Sequence, residues 1–155
     1  MNIFWLDHDL EKAARYHVDK HASKMVLEYA QLLSAAHHVL GSDTAPHVYK
    51  LSHVNHPCAV WTRSSATAYE LVYDMFRLTA REYHYRYCRK HKSWVELSSL
   101  LSNNPCPIVS TEQPPQCMPD EYKASCHVEG YRNYYMGDKR AMARWSKRSK
   151  PEWWV

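Results

Sequence analysis

Glycine is almost missing, with three residues in a chain of 155. That shortage excludes a glycine-rich phosphate loop and a sheet built on tight turns. Phenylalanine is scarcer still, at two residues. No apolar run approaches the roughly 20 residues that a membrane-spanning helix needs. The opening MNIFWLDHDLEKAARYH has neither the basic start nor the apolar core of a signal peptide, so an intracellular protein is expected. Cys58, Cys88, Cys106, Cys117 and Cys126 are odd in number and form no CxxC pair. Free thiols are therefore expected, with no metal site and no cofactor.

Other residues are abundant. Twelve tyrosines, six tryptophans and eleven histidines accompany a formal charge of +4. Aromatics with a polar handle, together with Lys and Arg, suit stacking on bases and neutralising phosphates. They also suit the core of a small helical protein.

Pattern gives a mostly α, single compact helical bundle over residues 1–155 with a long proline-rich loop. MNIFWL reads as extended, and Asp7 or Asp9 can cap a helix from Leu10 to Leu40 that Gly41 ends. A loop from Ser42 to Asn55 leads to Pro57, which suits the first turn of a second helix to about Lys92. A shorter helix covers Ser93 to Leu101. The stretch from Asn103 to Pro119, NNPCPIVSTEQPPQCMP, holds five prolines and is a long loop. A short turn at Asp120 and helices at His127–Met136 and Asp138–Trp145 follow.

The first long helix carries the chemistry. Its apolar face is Ala14, Val18, Met25, Tyr29, Leu32, Ala36 and Val39. Beside it runs a polar stripe, His17, His21, Lys24, Glu28 and Gln31, at alternating spacings of four and three. Tyr16, Val26, Leu27 and Ala30 make other sides apolar too, so the helix is expected to be central and its stripe to line a cleft. The blander account is an interior ion-pair network, with Lys24 and Glu28 spaced to pair. His17 and His21 have the spacing to share a metal, but Lys24 one turn on would repel a cation. Anion binding with acid–base chemistry fits better. Glu28 is then base or cation stabiliser, Lys24 phosphate anchor or amine nucleophile, and His17 and His21 proton carriers. Ahead of the second helix, HVNHPCAVW supplies His53, Asn55, His56 and Trp61 as ligand contacts near a helix N-terminus. Arg63, on the second helix, and Tyr131 and Arg132 of YRNYY are further candidates.

Taken together, DKHxxKMxLExxQLLxxAHH, NHPxxxW, MPDEYK, YRNYY and PEWW resemble a family of small proteins found largely in bacteriophages. The match covers almost the whole chain. It implies a phage origin, and hence the cytoplasm of an infected bacterial host, but no activity. Lys24, Glu28 and Gln31, followed by Asn55, His56, Pro57 and Trp61, also partly resemble the pyrimidine-dimer DNA glycosylase/AP-lyase family. That resemblance implies a compact bundle of helices and imine chemistry by an N-terminal amine, or by Lys24 in its stead.

The expected ligand is a nucleotide unit, in nucleic acid or free, with no membrane partner. The leading expectation is an enzyme that cleaves a glycosidic or phosphodiester linkage without a metal. The rival is a non-catalytic anti-defence protein that sequesters a nucleotide immune signal.

Overall fold

The computed structural model describes residues 1–110 and 112–155. Among them are six α-helices and no strand: α1 (Leu10–Tyr16), α2 (Asp19–Val39), α3 (Pro57–Thr62), α4 (Ala66–Tyr87), α5 (Lys92–Leu101) and α6 (His127–Met136). Short 3-10 turns lie at Ala45–His47, Asp120–Tyr122 and Arg140–Met142. Among the described residues no helix is long and apolar enough to cross a membrane. The mostly α class and the expected bounds of α6 hold. Two long-helix expectations and one short one do not.

The helix expected from Leu10 to Leu40 breaks at His17, whose backbone turns extended (ψ 130). No glycine or proline marks that break, because its cause is tertiary. The His17 ring engages the carbonyl of Ala13, and the fully buried guanidinium of Arg86 takes the carbonyl of Arg15. Val18, at the α2 N-cap, offers no side-chain cap. The Asp19 amide instead donates to Arg144 O of the C-terminal tail at 2.8 Å. The second long helix breaks at Arg63–Ser65, where Ser65 Oγ accepts from Ala68 N and caps α4. The helix expected at Asp138–Trp145 reduces to the turn Arg140–Met142, and the tail then wraps back over α1 and α2.

Helix α2 packs against α3, α4 and α5. Trp61 on α3, the cap Ser65, and Ala68, Val72, Met75 and Thr79 on α4 are all buried. Tyr29, Tyr69, Tyr131 and Tyr135 are all essentially fully buried. Each hydroxyl finds a partner, which explains the preference for tyrosine over phenylalanine. Tyr69 donates to Leu101 O, Tyr131 donates to Pro115 O, and Tyr29 and Tyr135 pair with His17 and His21.

Arg86 joins four segments. It donates to Glu82 (2.7 Å), Asp19 (2.9 Å) and Arg15 O (2.8 Å), while Arg148 of the tail closes on Glu82. Burial alone would raise the Glu82 carboxyl, but hydrogen bonds from Arg148 and Arg86 outweigh it and hold the group below its ordinary range. Removing one partner of such a buried pair leaves an uncompensated charge. Arg86→Ala is therefore expected to lose about 3–5 kcal/mol in urea unfolding, with Arg86→Lys recovering some of the loss. An unchanged midpoint for Arg86→Ala would show that the hub does not hold the helices together.

Candidate functional site

The extended N-terminal segment lies buried across α2. Phe4 N donates to Tyr29 Oη (3.3 Å), and Tyr29 pairs with His17 Nε2 (2.8 Å). Because His17 Nδ1 meets a carbonyl at 2.8 Å, it must carry the proton, so Nε2 accepts from the Tyr29 hydroxyl. The relay fixes one imidazole tautomer and one path for the segment.

That path brings the α-amino group of Met1 to 3.6 Å from Glu28 Oε2. Lys24 Nζ lies 3.0 Å from Oε1 of the same carboxylate. A cavity of about 230 Å³ opens beside them, lined by Met1, Asn2, Phe4, His21, Lys24, Met25, Glu28, Lys139 and Met142. Two amines thus flank one carboxylate, and with Lys139 also in the lining the site carries an excess of positive charge. Glu28 is nearly buried, whereas the Lys24 side chain is 68% exposed, so the lysine has room to move in solvent while the carboxylate is confined.

His21 forms one wall. Its ring stacks on Phe4 at 4.3 Å, and Nδ1 pairs with the Tyr135 hydroxyl at 2.6 Å. Nε2 is left for the cavity. Burial, then His17 and the cationic Lys139 and Lys24, pull the His21 pKa down to about 3, so the ring is neutral at pH 7. His17, pushed by burial to about 4, is neutral too.

The structure brings Glu28, Lys24 and His21 together, with His56 close enough for Glu28 and the α-amine to act on its ionisation. The remaining candidates lie elsewhere. His17 is sealed in the relay and does not reach the cavity. Gln31 is half-buried one turn beyond Glu28. Arg63 pins Val54 O at 2.7 Å, and His53 and Asn55 sit exposed in the loop before α3. His56 serves as a cap, its Nδ1 accepting from Cys58 N at 3.2 Å. Trp61 lines a second cavity of about 320 Å³ with Trp5 and His127, and its indole donates to Glu112 O. Tyr131 is buried under the proline-rich loop, accepting from Cys117 N. Arg132 clamps the N-terminal segment through Leu6 O (2.8 Å) and Asp7 (2.7 Å).

Sequence reasoning missed Phe4, Lys139 and Met142, and it did not place the Met1 amine itself at Glu28. Only the fold joins these to α2. It also missed that His56, Cys58 and Cys117 present ligand atoms within 4.8 Å of one another, the one such metal-capable group among the described residues. Compared with models of protein families, with curated proteins and with solved structures, the chain matches none.

The two buried imidazoles fix a pH dependence. In the unfolded chain each takes up a proton near pH 6.5, whereas in the fold His17 and His21 resist down to about 4 and about 3. The unfolded state therefore binds more protons across that window. Stability is complete above pH 6.5 and falls as the pH drops through it. His17 alone accounts for roughly 3 kcal/mol of the loss by the acid end. Urea midpoints measured from neutral pH downward are expected to fall accordingly, and less steeply in His17→Gln. Equal slopes for the two proteins would contradict the assignment.

Proposed function

We propose that this chain acts on a nucleotide linkage, using an amine activated by Glu28 to cleave the bond between base and sugar. The observation that carries the reading is one nearly buried carboxylate held between two amines at the edge of a cationic cavity. A structural ion pair needs one partner. Here Glu28 has two, and Lys139 adds a third cation to the cavity wall with no carboxylate among its lining residues except Glu28. An anionic ligand restores the balance, and a phosphate fits that demand.

The chemistry follows from the groups. Glu28 takes a proton from the Met1 ammonium or from Lys24, freeing a nucleophilic amine. The amine attacks C1′ of the sugar, and the C1′–N bond to the base breaks as Glu28 returns the proton to the departing base. The attacking nitrogen then passes one of its two protons to O4′ as the C1′–O4′ bond breaks, leaving a protonated imine between C1′ and the amine. The carboxylate, ionised again, faces the positive charge of that imine at close range. Lys139 and the amine not used in attack hold the phosphate. The partial resemblance to pyrimidine-dimer glycosylases supports the same reading, because those enzymes use an N-terminal amine. The cytoplasm of an infected bacterium would supply both nucleic acid and free nucleotides.

Borohydride reduces an imine to a stable amine and so traps the intermediate. With single-stranded and duplex oligonucleotides carrying an abasic site, wild-type protein is expected to form a covalent adduct that peptide mass mapping places on Met1 or Lys24. Glu28→Gln should form it at least tenfold more slowly. Binding without adduct or strand cleavage would move the site to the rival function, sequestration of a nucleotide. Neither binding nor adduct with any substrate would overturn the proposal.

A further inference from the structure

We propose that His56, Cys58 and Cys117 form a binding site for one thiophilic divalent cation of the zinc class. The three residues come from different places, the start of α3 and the end of the proline-rich loop. Their ligand atoms nevertheless lie within 4.8 Å of one another. The two sulfurs are 3.6 Å apart. A tetrahedral zinc with Zn–S bonds of about 2.3 Å requires sulfurs roughly 3.8 Å apart and an imidazole nitrogen roughly 3.6 Å from each. The sulfur pair is thus already set to within ~0.2 Å of that spacing, and only the half-exposed imidazole has to close in.

The frame is rigid where it needs to be. Cys58 is fully buried in the first turn of α3, behind Pro57. Cys117 is held through its amide, which donates to Tyr131 Oη at 3.3 Å, while that hydroxyl donates to Pro115 O at 3.0 Å. Such support of a ligand by its neighbours tunes and orients metal sites. His56 contributes a weak cap to Cys58 N, a contact it can exchange for a metal bond. The ion displaces the thiol protons as it binds. Two cysteines and one histidine leave a fourth position for water or for a ligand group. The absence of a CxxC pair in the sequence says nothing about such a site, because its sulfurs are 59 positions apart. The ion would tie the loop to α3, and the inference does not depend on the reaction proposed at Glu28.

Cobalt(II) tests it directly, since cobalt–thiolate charge transfer appears only with sulfur bound and intense ligand-field bands report tetrahedral geometry. Reduced, metal-free full-length protein titrated with cobalt should develop both, saturate at one equivalent, and lose them to zinc. Zinc should also raise the thermal midpoint. Cys117→Ser and His56→Ala should weaken cobalt binding at least tenfold and remove the zinc shift, with circular dichroism reporting that each variant is folded. Cys88→Ser, at an exposed thiol, should change nothing. No charge-transfer band in the reduced wild type would overturn the site, as would a band that survives in both variants. So would a protein that merely forms a Cys58–Cys117 disulfide on oxidation and takes up no cobalt after reduction.

Discussion

The relay from Phe4 through Tyr29 to His17 is the interaction on which the rest depends. Three polar groups sit in a space that water does not reach, and each satisfies the next. An imidazole nitrogen or an amide left unpaired there would cost about 1–3 kcal/mol. The chain therefore has one good way to run. α1 must end at His17, α2 must begin two residues later, and the N-terminal segment must lie along α2. Arg86 enforces the same break from outside by holding Arg15 O and Asp19. Position is fixed for Met1 only because it is fixed for Phe4.

This explains why a carboxylate on the middle of a long helix comes to matter. Glu28 alone would be an ordinary partner for Lys24 one turn earlier. With the segment in place it also meets the Met1 amine, and the turn at Arg140–Met142 brings Lys139 to the same cavity. The charge imbalance of the cavity is thus produced by tertiary folding from three separate stretches. The neighbouring thiol and imidazole cluster arises in the same way, from α3 and a loop that Tyr131 pins from below.

Much of this was legible in the sequence, and the rest was not for identifiable reasons. The helical class, the cap at Asp9, the stop at Gly41, the long loop and α6 all follow from local signals. Ser65 was a readable start signal that a long apolar period obscured. The break at His17 had no local signature, because a distant arginine and the tail supply its cause. Within the polar stripe the periodicity placed His21, Lys24 and Glu28 on one side of α2 correctly. It could not show that His17 leaves that side, since its wheel position assumed a helix that has already ended. The pattern places Lys139 in a helix and suits Tyr131 and Arg132 to ligand contacts. In the fold the first lines the cavity, and the other two brace the loop and the N-terminal segment.

The central claim is that the cationic cavity at Glu28 exists for a nucleotide. Thermal unfolding against a panel of short DNA and RNA, mononucleotides, cyclic dinucleotides and ADP-ribose derivatives, with the mass of each component read afterwards, tests it most directly. The account predicts a raised midpoint with at least one member, together with a product lacking the base. A midpoint that no member moves would contradict it, and would leave Glu28 and its amines as an ion-pair network serving the fold alone.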